Sequence, residues 1–391
     1  MLNLTPGVRC AAPPGLWQRL ARACTSPPCS PRRRPFATSA ILSKAQPEAL
    51  RILFCGSDAF SCASLQALHA EHRRDAALVE RLEVMVQPGK RMGRGFKNMA
   101  QVPCKELAQE LGLTIHERTT FRDWTLPQGT NLVVAVSFGL FVPPRILASA
   151  KYGGLNVHPS LLPHLRGPAP IHHACLRGDQ HTGVSLQTLD PHAFDHGTVL
   201  AQTPTPGLPI PPDQSFADLK HALAVRGAAL LVEGLRAGVH IPPHTDAGWW
   251  AAAGGGPRTP LAHAPKTTKA DMQLDAAAWA VDDVLRRLRV FGSVWMRGVA
   301  GGGKVKRVLL TRAVAVGPDT VALQGRWTCL MRAVGAQGAE TELRVRIDAA
   351  SGVCYFEDGA GRWMAVERAK MEGQGEKVAV AALRTLFYDA V

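Results

Sequence analysis

Nowhere in its 391 residues does the sequence carry a C-x-x-C pair, a G-x-G-x-x-G run or an uninterrupted apolar stretch of the ~20 residues that a membrane helix needs. Each absence removes a class. Cysteines without that spacing make no zinc ribbon, and Cys55, Cys62, Cys104, Cys175, Cys329 and Cys354 read as free thiols of a reducing compartment. His172-His173-x-Cys175 and His192-x-x-x-His196 match no standard ligand spacing, so no metal is expected. The apolar run from Arg51 ends at Gly56 and is followed by helical spacing over Phe60–His69, as in a nucleotide-binding unit. Gly56 stands alone, however, and without further glycines a pyrophosphate has no close approach, which disfavours an NAD enzyme. No secretory h-region is present, and no membrane partner is expected.

Acid is missing altogether before Glu48. Residues 1–47 hold seven basic side chains (Arg9, Arg19, Arg22, Arg32, Arg33, Arg34 and Lys44), half of the formal net charge of +14, amid Ser, Thr, Ala and Pro. That composition fits a transit peptide leading to the mitochondrial matrix. The bland alternative is a basic arm that stays attached and binds nucleic acid.

What is present points to a large globular protein, 46% hydrophobic and long enough for two domains. Apolar strands near Arg51, Leu82–Val86, Leu113–His116, Leu132–Val136 and Gly154–Val157 alternate with helical patterns, a βα alternation that makes a mostly parallel sheet. Phe216–Leu235 has the spacing of a long helix covering it. Proline and glycine then crowd residues 242–262, a composition suited to a linker that Trp249 and Trp250 anchor to a domain surface. Beyond it, a helix over Asp275–Val290 precedes short strands at Val305–Ala315, Thr320–Leu323, Leu343–Ile347 and Val353–Phe356, as in a small β-barrel. The expected fold is α/β: a Rossmann-like catalytic sheet domain over 48–241, the linker, and an OB-like barrel over 263–391. Residues 266–312 hold ten basic side chains against four acids, among them Lys266, Lys269, Lys304, Lys306 and Arg307. Such clustering suits a phosphate backbone; an ordinary basic surface is the alternative.

The densest chemistry lies in Asn-Val-His-Pro-Ser-Leu-Leu-Pro-His-Leu-Arg-Gly-Pro-Ala-Pro-Ile, residues 156–171. Asn156 and His158 flank Val157, so on a strand they share a face while Val157 takes the other. Prolines 159, 163, 168 and 170 force a rigid loop after the strand, then a helix from about Ile171. Asp195, in a loop between strands at Val184–Leu189 and Thr198–Gln202, is the natural partner of His158.

Asn156-x-His158, Ser160-Leu-Leu-Pro163, Arg166-Gly167, Pro170-Ile171 and Phe194-Asp195-x-Gly197 resemble the signature of the folate-dependent formyltransferases, and the similarity runs from about Arg51 to the C-terminus. The resemblance implies 10-formyltetrahydrofolate as formyl donor and initiator methionyl-tRNA as acceptor, hence a role in starting mitochondrial translation. It implies Asn156, His158 and Asp195 as catalytic residues, and Ser160, Leu161, Leu162 and Pro163 as part of the folate pocket. It also places the loop bearing Lys90, Arg91, Arg94 and Lys97 at the acceptor end of the tRNA. Arg166 is left between a folate partner, a tRNA contact and a loop-stabilising role. A monomer is expected. The rival readings are a formyltransferase or hydrolase acting on a small molecule, and an RNA-binding protein without catalysis.

Overall fold

The computed structural model describes residues 48–92, 98–249, 261–320, 327–335 and 338–389. The expected transit segment over 1–47, Arg94, Lys97 and Trp250 lie outside the described residues. Seven strands make the first sheet: β1 (Leu50–Gly56), β2 (Val79–Val86), β3 (Thr114–Glu117), β4 (Leu132–Val136), β5 (Gly154–His158), β6 (Ser185–Thr188) and β7 (Val199–Gln202). Their order is β7-β6-β5-β4-β1-β2-β3. Pairing is parallel from β5 to β3 and antiparallel at β5–β6 and β6–β7. The helices are α1 (Ala59–Arg74), α2 (Pro103–Glu110), α3 (Pro144–Ser149), α4 (Pro170–Arg177), α5 (Phe216–Arg236), α6 (Val281–Phe291) and α7 (Ala379–Leu383).

The reason β4 reads Leu-Val-Val-Ala-Val is that both faces of the sheet are covered. Leu132, Val134 and Val136 join one apolar cluster with Leu223 and Leu231 of α5, while Val133 and Ala135 join another with Phe121, Phe138 and Ile146. Burying each such valine or leucine contributes roughly 1.5–3 kcal/mol. Helix α5 starts where the Ser215 side chain accepts from Asp218 N at 3.1 Å. After β3 the chain crosses to the far side of β1 and lays down β4. Crossovers therefore leave β1 and β4 in opposite directions, which opens a crevice at their C-terminal ends.

The second sheet closes on itself. Strands β8 (Val294–Ala300), β9 (Lys304–Val316), β10 (Trp327–Val334), β11 (Glu340–Asp348), β12 (Val353–Glu357) and β13 (Trp363–Met371) run antiparallel in the order β8-β9-β13-β12-β11-β10, and β10 pairs back with β8. A six-stranded barrel results, filled by Met296, Val308, Leu310, Met331, Val345, Phe356 and Val366.

Two differences from the sequence pattern have physical causes. The helix expected from Asp275 begins at Val281: Asp275 Oδ1 accepts from Ala277 N at 3.1 Å in a turn, while Leu274 and Ala276 sink into the barrel core. Strands β8, β10 and β13 have no counterpart in the expected pattern. In β13, Met364 and Val366 fill the barrel while Trp363 and Ala365 pack outside with Tyr355, so consecutive residues are buried and the period of two is erased. Beyond Thr320, the strand expected at Thr320–Leu323 lies outside the described residues.

Candidate active site

Strand β5 supplies the first two polar groups. Val157 packs on Gly227 of α5, where a Cβ would stand 2.7 Å from Val157 Cγ1, so Asn156 and His158 face the other way. On β6, Gln187 is the register partner of Asn156 and shares that face. Asp195 comes over from the β6–β7 loop with φ 59°, in the left-handed region that aspartate tolerates. The loop returns to β6 at Gly197, where a Cβ would stand 1.7 Å from Thr188 O, so no other residue permits that approach.

All of these groups meet at one carboxylate. Asp195 Oδ1 accepts from Asn156 Nδ2 at 3.1 Å and Gln187 Nε2 at 3.1 Å and lies 3.2 Å from His158 Nδ1, while Oδ2 accepts from Gly167 N at 2.9 Å. Burial alone pushes the Asp195 carboxyl up, but His158, Gly167 and Gln187 together hold it below the usual carboxylate range. The other ring nitrogen of His158, Nε2, faces Leu165 O at 3.0 Å.

The loop after β5 is held by bonds within itself and to β6. Ser160 Oγ donates to His164 O at 2.7 Å, Leu162 N donates to Ser185 Oγ at 3.0 Å, and Leu161 packs toward Gly183 and Gly207. Of the residues expected at a folate pocket, Ser160 and Leu162 are buried and hydrogen-bonded to His164 and Ser185, Leu161 and Pro163 are half-buried, and none of the four is among the described lining of this cavity. Arg166 Nε donates to Asp195 O at 2.7 Å, a loop-holding role. Gly167, at φ 121°, would put a Cβ 2.5 Å from Ala264 O. The chain entering the barrel thus runs along the loop: Leu165 N donates to Ala262 O and Ala264 N to Arg166 O.

Above this cluster opens a cavity of about 640 Å³, walled by Phe138, Leu140, Phe141, Val142 and Phe194 and floored by Asn156, His158, Gln187 and Asp195, with His263 among its lining residues. An apolar cleft of that size with a few convergent polar groups suits a small organic substrate. Pattern reading misses Gln187 and His263. The signal for Gln187 is present in the alternation of β6, but it becomes readable only once the β5–β6 register is known. No group of three or more potential metal ligands occurs among the described residues.

Lys266, Lys269, Lys304, Lys306 and Arg307 are not among the residues lining this cavity. Lys90–Met92 pairs antiparallel with Asn98–Ala100. Lys266, Lys269 and Lys304 are exposed, and Lys306 and Arg307 half-buried, with the Arg307 guanidinium 5.1 Å from the Trp295 ring centre. Trp249 Nε1 donates to Thr203 O at 2.8 Å, tying the linker to the sheet domain.

A family model described as formyl transferase matches residues 50–235. The methionyl-tRNA formyltransferase of Acidiphilium cryptum is 34% identical over 252 residues, covering 62% of this chain and 74% of that protein. The mitochondrial methionyl-tRNA formyltransferase of Bos taurus is 31% identical over 245 residues, covering 62% of this chain and 57% of that one. Among solved structures, an N-formyltransferase from Helicobacter canadensis, in complex with folinic acid and dTDP-3-aminofucose, aligns with a TM-score of 0.51 at 11% identity over 81% of this chain and 98% of that chain, a likeness of fold. With this identity and coverage, the chain belongs to the methionyl-tRNA formyltransferase family.

Proposed function

We propose that this chain transfers the formyl group of 10-formyltetrahydrofolate to the free amino group of methionyl-tRNA. The observation that carries the reading is the convergence of Asn156, His158 and Asp195 at the floor of an apolar cleft. In the reaction the amine nitrogen bonds to the formyl carbon, the bond from that carbon to N10 of the folate breaks, and one proton passes from the amine to N10. The cleft suits the donor, with aromatic and aliphatic walls for a flat heterocycle above the polar floor.

Each residue then has a task. Asn156 spends one amide N–H on Asp195 and carries a second, which can donate to the oxygen that becomes negative in the tetrahedral intermediate. His158, with Nε2 at Leu165 O and Nδ1 3.2 Å from Asp195, stands on the same cavity floor beside that charge. Asp195, held below the usual carboxylate range, is a weak base, so it serves by orienting the imidazole and the Asn156 amide rather than by storing the amine proton.

The barrel, with Lys266, Lys269, Lys304, Lys306 and Arg307, and the hairpin that begins at Lys90 and Arg91 are proposed to hold the tRNA, with Arg94 and Lys97 of the intervening sequence. The expected division into catalytic sheet, linker and barrel suits this sharing of work. The acid-free segment before Glu48 and the mitochondrial relative support action on the initiator tRNA in the mitochondrial matrix.

Transfer of labelled formyl from 10-formyltetrahydrofolate to methionyl-tRNA is the direct assay; absence of label on the tRNA rejects the reading. Neutralising Lys304, Lys306 and Arg307 together is expected to flatten the dependence of log affinity on log salt by up to roughly 0.9 per phosphate lost, with formyl-folate binding intact. An unchanged slope assigns these charges to solvated surface.

A further inference from the structure

Formyl transfer moves one proton from the amine to N10, yet the titratable groups on the floor of the cleft are already engaged. Asp195 is held below the usual carboxylate range by its partners, and both ring nitrogens of His158 face protein atoms, Leu165 O and Asp195 Oδ1. Two further carboxylates line the cavity, and each has its own work. Asp58 Oδ2 accepts from Lys220 Nζ at 2.7 Å while its Oδ1 caps α1 at Ser61 N, and Asp190 Oδ1 accepts from His192 N and Ala193 N, which hold that carboxyl low.

His263 differs from all of these. It lines the same cavity, it is exposed, and its side chain makes no hydrogen bond or ion pair among the described residues. The backbone beneath it is nonetheless pinned on both sides: Leu165 N donates to Ala262 O at 2.8 Å, Ala264 N donates to Arg166 O at 2.7 Å, and Ala264 is fully buried. These bonds lay the ring against Gly167. Its Cε1, the carbon between the two ring nitrogens, stands 3.1 Å from the position that a Cβ on Gly167 would take, and the N–H of the same Gly167 donates to Asp195 Oδ2 at 2.9 Å. An imidazole open to the cleft is therefore held one residue away from the carboxylate on which Asn156 and His158 converge.

We propose that His263 carries the proton of the reaction: an imidazole nitrogen takes it from the attacking amine and delivers it to N10 as the folate leaves. This deepens the formyl-transfer reading above and rests on it. The bond from the amine nitrogen to the formyl carbon forms, the bond from that carbon to N10 breaks, the proton ends on N10, and the imidazole is returned unchanged. No further reactant is needed. An imidazole suits both halves of the task, because it can accept a proton on a free nitrogen and then give it back near neutral pH.

The test uses the full chain with His263→Ala and with His263→Gln, whose amide keeps a hydrogen-bonding group but cannot take up a proton. Both variants are expected to lose about 100-fold or more in kcat on methionyl-tRNA, with KM for formyl-folate and for tRNA within about twofold of wild type. Imidazole added to the buffer should restore turnover of the Ala variant and leave wild type unchanged, and substituted imidazoles should rescue better as they become more basic. A structural role would not give that dependence. Unchanged kcat in the two variants overturns the proposal, as does near-normal turnover of the Gln variant, which would assign His263 a positioning hydrogen bond. A loss confined to KM for tRNA also overturns it, making the residue a nucleic-acid contact, and so does a kcat loss that no imidazole repairs. The controls separate the two levels: a wild type that does not formylate methionyl-tRNA rejects the functional reading, whereas an active wild type with equally active variants rejects only the role of His263.

Discussion

The polar groups of the sheet domain and those of the barrel obey different physics. At the end of β5, the His158 side chain is 6% exposed and that of Asp195 9%, and each is fixed by hydrogen bonds to named partners. On the barrel, Lys304 is exposed and the Arg312 side chain is 70% exposed in its pair with Glu367. Charges buried in a low dielectric interact strongly and tolerate few alternatives, whereas exposed ones are screened and interchangeable. The first arrangement suits chemistry at one atom. The second suits a long polyanion gripped at many points.

The sharpest way to break this comparison is to remove single groups on each side. Asn156→Ala and His158→Ala are each expected to lower kcat by roughly 100- to 1000-fold, about 2.7–4 kcal/mol of transition-state stabilisation, with little change in KM for tRNA. Asp195→Asn should do likewise at neutral pH. The Asp195 carboxyl is held low, so in the wild type its charge persists as pH falls below the ordinary carboxylate range and is lost only at its lowered pKa. The acid limb this protonation gives to the kcat profile should disappear in the Asn variant. If His158 and Asp195 act as a unit, the double variant should be little worse than the poorer single one; multiplying effects would mean that they act separately.

The same difference explains what could be read from the sequence. Buried, interlocked groups force particular residue types at particular spacings, so Asn156-x-His158 and Asp195-x-Gly197 are legible as a site, and Leu132–Val136 as a doubly covered strand. Gly197 is decided by a 1.7 Å approach to Thr188 O that no pattern displays, and Gln187 by a register that only the folded sheet sets. Ser160–Pro163 reads as pocket wall, and which of its polar atoms bond to His164 and to Ser185 of β6 is visible only in the folded loop. In the barrel, exposed charge leaves only a composition. Strands such as β13, buried on successive residues, lose their alternation, and Asp275 stands where a helix start was expected although its side chain caps a turn.

A middle-sized effect is expected at Glu71, a buried charge of the sheet domain far in sequence from the chemistry. It is 2% exposed and takes two hydrogen bonds each from Arg236 and Arg74, with Arg236, then Arg74, drawing its pKa down to about 2. A lowered carboxyl stabilises the fold above its unfolded value of roughly 4.3, and that contribution fades as pH falls from there through the folded value. Glu71→Gln should lower the melting temperature at neutral pH by about 2–4 °C, and the gap between variant and wild type should narrow as the buffer is taken below pH ~4. Formyl transfer at a permissive temperature should be unaffected. A gap that stays constant across the acid range would mean that the charge on Glu71 contributes nothing.

The smallest effect, and the one that best sharpens the contrast, belongs to the barrel. Arg312 Nε lies 2.8 Å from Glu367 Oε2, a good distance on paper, but both groups are open to water and an exposed pair of this kind contributes only about 0–1 kcal/mol. Glu367→Gln should therefore leave the urea midpoint nearly where it was, and high salt should erase whatever difference remains. Binding should move opposite to the neutralisation of Lys304, Lys306 and Arg307. Arg312 shares β9 with Lys304, Lys306 and Arg307, and removing its carboxylate partner leaves one more cation for the RNA backbone. The variant should bind tRNA slightly more tightly at low salt, with a log–log salt slope steeper by up to roughly 0.9. A clear loss of stability instead would show that this charge is structural, as in the sheet domain, and the division of labour between the two regions would fail at that point.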